Sequence, residues 1–458
     1  MSLKATFERN RQRYEEELTD FLKIPSVSAR SEHKQDLARC AEWLAGKLTE
    51  VGMAAEVIAT PGHPIVYGEL LEAGEDAPTV LVYGHYDVQP VEPLDEWESP
   101  PFEPTVRDGR IYARGSADDK GQIYLHVKAL EAYREAVGTP PINLKFIFEG
   151  EEEVGSDNLE NFVRKNKERL ASDACVVSDT PMLAADLPSV VIGLRGLVYI
   201  ELRLRGPRQD LHSGAFGGAV TNPANALAGM IAALKDDKGR ITLPGFYDDV
   251  IEPSDEEKKA LAKIPTTEKE LLEQTGAPAL GDGEEGVHFL NRIWTRPTLD
   301  VNGLLSGYTG EGAKTIIPAT AMAKISLRLV PNQDPEAVTQ ALEEQLRSLL
   351  PVGLEMEIER HSWGLPWYSD PAGPLFRAAS TAVKEVFGRG PLFIREGGSI
   401  PIVPMIEREL GVPVLLLGFV LPGSNLHSPN EWLSIEMYHK GIATVTRLYD
   451  AIAREYRA

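Results

Sequence analysis

Residues 142–156 read Ile-Asn-Leu-Lys-Phe-Ile-Phe-Glu-Gly-Glu-Glu-Glu-Val-Gly-Ser. The run from Ile142 to Phe148 is short, apolar and bounded by Pro141 and Gly150, the pattern of a buried strand. It delivers Glu149, Glu151, Glu152 and Glu153 to one strand end, ahead of Gly155-Ser156 and a polar helix. Carboxylates crowded in this way repel one another and lose hydration, so such a cluster either stays in water or is neutralised by cations. Three consecutive glutamates alone read as a solvated acidic turn. The weight shifts because four other strand ends deliver a His or an Asp.

Working outward, residues 5–24 and 34–51 carry helical periodicity, with Phe7, Tyr14, Leu18, Phe21 and Leu22 on one face of the first. Thr79 to Gly84 is a second apolar strand, ending in His85-Tyr86-Asp87. A loop rich in Pro and acidic residues comes next, then a short strand at 110–113 and Arg114-Gly-Ser-Ala-Asp-Asp-Lys-Gly121. A helix is predicted over 122–136, another near 156–168, and a third strand leads to Ser178-Asp179. Strand–helix alternation of this kind predicts an α/β fold, a mixed and largely parallel sheet sandwiched by helices. Near Gly196 the pattern changes. Residues 197–205 and 322–330 alternate apolar with polar, as half-exposed strands do; helices are predicted at 221–235 and 334–349, and a further strand at 353–359. After Trp367 the first pattern resumes, with a helix at 373–387, strands at 392–395 and 414–417, and a final helix at 433–455. The expected organisation is a discontinuous α/β domain, residues 1–195 and 364–458, with a smaller α+β domain, 196–363, inserted into it. An acidic, turn-rich insertion near 236–300 matches no motif.

The chain has 458 residues, enough for two or three domains with full cores. Its net charge of −22 argues against nucleic-acid or anionic-membrane partners. The two cysteines, Cys40 and Cys175, sit in apolar-periodic surroundings and are expected in the core. The charged amino terminus lacks the apolar segment of a secretory signal, and the longest apolar run, Val412 to Leu421, is interrupted by Pro413 and Gly418. A cytoplasmic protein is expected.

The chemistry-bearing residues are His85, Asp118, Glu153, Asp179 and His427, each just after a predicted strand or the turn beyond it. Open α/β sheets gather ligand-binding residues there. Imidazole and carboxylate together suit borderline divalent ions. Three carboxylates balance two M²⁺ ions better than one, leaving a residual positive charge for a bound anion and a further carboxylate free to act as base. Gly310-Glu-Gly-Ala-Lys-Thr315 fails the spacing of a phosphate-binding loop, and no serine or cysteine nucleophile arrangement occurs.

Seven blocks carry a resemblance: Gly84-His-Tyr-Asp-Val-Gln-Pro90, Ala113-Arg-Gly-Ser-Ala-Asp-Asp-Lys-Gly121, Glu149-Gly-Glu-Glu-Glu-Val-Gly-Ser156, Ser178-Asp179, Asp210-Leu-His-Ser-Gly214, Arg395-Glu-Gly-Gly-Ser399 and His427-Ser-Pro-Asn-Glu431. In order they resemble the motifs of the co-catalytic zinc metallopeptidases, which include carnosinase-type dipeptidases, aminoacylases, glutamate carboxypeptidases and succinyl-diaminopimelate desuccinylases. The Asp-Asp-Lys-Gly and Glu-Gly-Gly-Ser blocks are most similar to the dipeptidase branch.

The resemblance implies that the discontinuous domain is catalytic and the inserted one a lid or dimerisation domain, and that Asp118 bridges two divalent ions, zinc first and manganese or cobalt as alternatives. His85 and Asp179 would complete one site, Glu153 and His427 the other. Glu152 would be the general base, Asp87 the acid orienting His85, and His212 a residue reaching the active site of the second subunit of a homodimer. A cis Asp118–Asp119 peptide is implied too. A small peptide substrate would present its carboxylate to Arg328, whose fork suits a carboxylate, and to the backbone of Gly397, Gly398 and Ser399 at a predicted helix start. With Arg328 and that turn assigned to different domains, substrate binding is expected to draw the domains together. The expected activity is dipeptide hydrolysis by a metal-activated water. N-acyl amino acid deacylation is the alternative within the same chemistry, and a catalytically silent metal-binding subunit the alternative outside it. Glu152 speaks against the silent subunit, since mere binding needs no base. A two-metal phosphoesterase would need more basic groups.

Overall fold

The computed structural model describes residues 2–281 and 283–457. Its internal contacts divide the chain into two units, Met1–Ile192 with Ser369–Phe393 and Met405–Ala458, and Gly193–Tyr368 with Ile394–Pro404.

The first unit is built on a sheet ordered Ala54–Ile58, Ile65–Leu70, Asn143–Glu149, Thr79–His85, Ala174–Val177, Val414–Leu416 and Ser189–Leu194. The central pairings, from Asn143–Glu149 through Val414–Leu416, are parallel. The margins are antiparallel, so the sheet is mixed. Burial explains the composition: every residue of Asn143–Glu149 is buried, as a strand covered on both faces requires. Register sets where the acidic and imidazole groups meet, because His85 pairs with Glu149 and both strands end at one level. Helix Lys120–Ala136 packs against strand Thr79–His85 and against helices Leu3–Leu22 and Ile435–Arg457. Almost the whole helix is buried, including Lys120 and Lys128. Lys120 is satisfied by the carbonyls of Phe21 and Ile24, and Lys128 by Glu17 and Glu131. Cys40 and Cys175 are fully buried and free.

The second unit holds an antiparallel sheet ordered Thr298–Ser306, Thr320–Leu329, Gly196–Arg205, Glu355–Gly364. Strand Thr320–Leu329 alternates strictly between buried and half-buried positions after Thr320. Its inward residues join Val198, Ile200, Leu202 and Leu204 in a core closed by Leu227 and Met230 of helix Pro223–Ala232 and by Val338, Leu342 and Leu346 of helix Pro335–Leu349. Within 236–300 lie helices Asp255–Leu261, Glu268–Thr275 and Phe289–Trp294, the first two started by reciprocal capping boxes, Ser254 with Glu257 and Thr267 with Glu270. Arg296 anchors the segment through a two-pronged pair with Glu284.

Two sequence expectations are corrected. Segment Ile394–Pro404, expected with the catalytic domain, belongs to the second unit, because Arg395 pairs with Glu257 and Ser399 with Arg195 and Arg328. The helix expected to start at Ser399 begins at Ile402, so the glycine turn precedes the helix and is not its N-terminus. No described helix is long and apolar enough to cross a membrane.

Candidate metal centre

The parallel strands present their carboxyl ends together. His85 closes one strand; Glu152 and Glu153 occupy a single helical turn, Glu152–Val154, just past the next; Asp179 lies two residues beyond Ala174–Val177. Asp118 is joined to Asp119 by a cis bond, and helix Lys120–Ala136 starts directly after it. His427 sits in a turn with left-handed backbone, φ +59°.

These side chains form two donor groups that share one residue. His85, Asp118 and Asp179 offer ligand atoms within 4.8 Å of one another, and so do Asp118, Glu153 and His427. His85 Nε2 lies 3.0 Å from Asp118 Oδ1 and 3.9 Å from Asp179 Oδ1. His427 Nε2 lies 2.8 Å from Asp118 Oδ2 and 3.3 Å from Glu153 Oε2. Asp118 thus turns one oxygen to each imidazole. All five predicted ligands come together.

Asp87 organises the centre from beneath. Its Oδ1 is 3.4 Å from His85 Nδ1, and the same nitrogen meets the Asp87 carbonyl at 3.1 Å. Nδ1–H is thereby occupied, which frees Nε2 to act as a ligand. The Asp87 carboxylate also accepts the N–H groups of Glu152 and Glu153 at 3.2 and 3.1 Å. One buried acid therefore fixes both His85 and the paired glutamates. The glutamates then diverge. Glu153 accepts from Gln89 Nε2 at 2.7 Å and faces His427. The Glu152 carboxylate accepts no hydrogen bond from any described residue and belongs to neither donor group.

The electrostatics are those of a site short of positive charge. Burial pushes the Glu153 carboxyl up to about 8, reinforced by the Asp118 charge. Burial, then the neighbouring Asp119 and Asp118, raises Asp179 far above the carboxylate range, and burial raises Glu152 too. Burial would also raise Asp118, but hydrogen bonds from His427 and His85 outweigh it and hold that carboxyl below its usual range. His427, bonded to Asp118, is lifted to about 9. Asp119 Oδ1 is buried with no partner among the described residues, while Oδ2 accepts the His85 N–H at 3.3 Å. Two imidazoles and three carboxylates turned inward on each other, with protons standing in for cations, are a donor set that fits two divalent ions.

Sequence reasoning passed over Glu431. This buried carboxylate takes the Arg114 guanidinium at 2.8 Å and the N–H groups of Gly115, Ala117 and Asp118 at 3.0, 2.8 and 3.0 Å. It grips the loop that delivers Asp118 and lies four residues after His427. Its presence inside the quoted His427-Ser-Pro-Asn-Glu431 block was the available signal.

The predicted substrate residues lie in the second unit. Arg328 Nη1 donates to Ser399 Oγ at 2.9 Å. Among the described residues, the N–H groups of Gly397, Gly398 and Ser399 find no acceptor. A Cβ on Gly397 would meet Ile293 O at 2.7 Å and Arg195 Nη2 at 2.8 Å, so only glycine fits there. Arg328 and the turn share one unit, which removes the expected two-domain origin of this site. His212 is exposed, its Nδ1 accepting the Gly214 N–H at 3.0 Å.

Residues 81–451 match the family described as Peptidase family M20/M25/M40. The chain belongs to that family. It is 34% identical over 463 residues to the Cys-Gly metallodipeptidase dug1 of Schizosaccharomyces pombe, spanning 96% of each chain. It superposes on an M20 family metallo-carboxypeptidase of Sulfolobus solfataricus with TM-score 0.83 at 35% identity, covering 96% of this chain and 99% of that one. Human carnosine dipeptidase 1 gives TM-score 0.79 at 29% identity, over 99% of both chains. With this family and this donor set, the chain is a metal-dependent hydrolase of the M20 type with a di-metal centre.

Proposed function

We propose that this M20 peptidase is a dipeptidase that hydrolyses the amide bond of small peptides bearing a free carboxylate. The observation that carries the reading is the Glu152 carboxylate, free of hydrogen bonds beside two donor groups joined through Asp118. His85, Asp118 and Asp179 would hold one divalent ion, and Asp118, Glu153 and His427 the other; zinc suits these nitrogen and oxygen ligands, as manganese and cobalt do. Ions bound there polarise the scissile carbonyl and acidify water. Glu152, raised by burial, takes the proton from the attacking water and passes it to the leaving amine. Asp87 keeps Glu152 in place through its N–H and keeps His85 Nε2 free. Arg328 and the unpaired N–H groups of the Gly397–Gly398–Ser399 turn bind the substrate carboxylate.

The chain acts as a homodimer through the second unit, with His212 stabilising the oxyanion in the partner's site. The outer strand Thr298–Ser306 supports this, since Leu304 and Leu305 are 61% and 55% exposed on an unpaired sheet edge. Hybrid dimers of His212→Ala and Glu152→Gln chains should regain activity that neither parent has; hybrids as inactive as the parents would refute the arrangement.

The likeness to a metallo-carboxypeptidase supports a second reading, release of the last residue from acylated or longer peptides. A panel of dipeptides, their carboxyl amides, tripeptides and N-acyl amino acids, with each metal added back, separates the two. Free dipeptides should be turned over fastest. Equal turnover of the amides would end the carboxylate reading, and faster cleavage of N-acyl amino acids would replace the dipeptidase by a deacylase.

A further inference from the structure

Arg195 has no part in the chemistry assigned so far. It comes directly after strand Ser189–Leu194 and directly before strand Gly196–Arg205, beside the glycine turn. Three bonds tie it there: its N–H donates to Gly398 O at 3.1 Å, its Nε to Gly397 O at 3.0 Å, and its carbonyl accepts the Ser399 hydroxyl. That hydroxyl in turn accepts from Arg328, so a single serine links two arginines. Neither guanidinium has a carboxylate within ion-pair distance among the described residues. Asp300, whose charge reaches Arg195, accepts instead from the Thr298 hydroxyl at 3.2 Å. Arg195 Nη1 is buried and has no hydrogen-bond partner among the described residues. Burial, then the Arg328 charge, brings the guanidinium down to about 10, so it still carries its charge at neutral pH.

Two adjacent, unneutralised cations are unusual in a chain of net charge −22, where acidic side chains outnumber basic ones. A buried guanidinium nitrogen without an acceptor is unfavourable unless something supplied from outside completes it. Arg328 alone would give a carboxylate one fork and would hold the turn that offers the N–H groups only at the Ser399 hydroxyl. Arg195 fixes the rest of the turn through Nε and its backbone, and leaves Nη1 and its charge uncommitted.

We propose that Arg195 is a second specificity determinant for the substrate carboxylate: it positions the Gly397–Ser399 turn and adds the positive charge that makes the site select anionic peptide ends. This rests on the proposed recognition of a substrate carboxylate by Arg328 and the glycine turn. Its chemistry is that of a carboxylate held by one guanidinium and a serine turn beside a second guanidinium, Arg328 making the direct contact and Arg195 setting geometry and potential.

The test compares a free dipeptide with its carboxyl amide on the metal-loaded enzyme, for wild type, Arg195→Gln and Arg195→Lys. Glutamine keeps a donor for the Gly397 carbonyl but loses the charge; lysine keeps the charge but loses the fork. Arg195→Gln should lower kcat/KM for the free dipeptide about 10- to 100-fold, as removal of a charge-assisted contact does, and leave the amide nearly unchanged. Arg195→Lys should retain most of the discrimination between the two substrates. Equal losses on both substrates would show that Arg195 only supports the fold, and would overturn the proposal, as would an unchanged ratio in Arg195→Gln. If that variant does not fold, the lysine variant decides, since loss of its discrimination refutes a role for the charge. A wild type indifferent to amidation would instead remove the carboxylate reading itself, and this inference with it.

Discussion

At the scale of single residues, Glu152 and Glu153 show how neighbours of one type take different work. Both N–H groups are held by Asp87, so both side chains leave the same anchored turn, yet only Glu153 meets an imidazole. Glu152→Gln should therefore keep both metals and lower kcat by roughly 10²–10⁴, the range for loss of a general base. Glu153→Gln should lose one metal, read by elemental analysis after gel filtration. Equal metal loss in both variants would refute the division. Of the five predicted ligands, His85, Glu153 and Asp179 were legible because each follows a strand with a plain apolar run, as Thr79 to Gly84 is before His85, whereas Asp118 and His427 lie in turns and were legible from their motif blocks. Arg195 was not. It sits between two strands in an unremarkable stretch, and its significance rests on bonds to residues about 200 positions away.

At the scale of elements, the small sheet ordered Trp432–Ser434, Arg110–Tyr112, Thr105–Arg107 governs how well the centre is assembled. It joins the segment after His427 to the segment before Asp118, and Glu431 adds the bonds to Arg114, Gly115, Ala117 and Asp118. Removing the charge leaves Arg114 buried and uncompensated. Glu431→Gln should cost about 3–5 kcal/mol of stability and weaken metal binding about 10- to 100-fold. Thermal melts and calorimetric metal titration would check both, and unchanged affinity would leave Glu431 a purely structural brace. Strands Ala54–Ile58, Ser189–Leu194 and Thr298–Ser306 went unread in the sequence. The last carries Asp300, Asn302 and Gly303 and has a register shift between Val301 and Gly303, so its alternation is broken. The glycine turn was legible as a turn ahead of a helix but not as part of the second unit, because that depends on the long-range Arg395–Glu257 pair.

At the scale of the whole molecule, the centre makes stability depend on pH in a direction opposite to acid denaturation. With no cation bound, Glu149 and Glu153 keep protons up to about 8 because they are buried, and His427 up to about 9 because it bonds Asp118. Each value lies above that of the unfolded chain. Between about pH 4.5 and 9 the native state therefore binds more protons, and its stability falls as pH rises. Glu17 works the other way: burial raises it, but its bonds to Lys128 and Tyr124 prevail and hold it at about 2, so its contribution is lost only in acid. The chelated protein should show a Tm that declines from about pH 5 to 9, and metal should weaken the decline by replacing the protons on Glu153 and His427 while leaving that on Glu149. A pH-independent melt of the chelated protein would contradict this account. The α/β plan and the inserted α+β unit were legible because core strands and helices carry strong periodicity. The boundaries at Phe393 and Pro404 arise from packing, which no local pattern encodes. Burial of both thiols in the core also bears on handling. A chain whose only two cysteines are sealed inside the folded first unit offers air and mild oxidants no accessible thiol. Native preparations should stay free of disulfide-linked aggregates without added reductant.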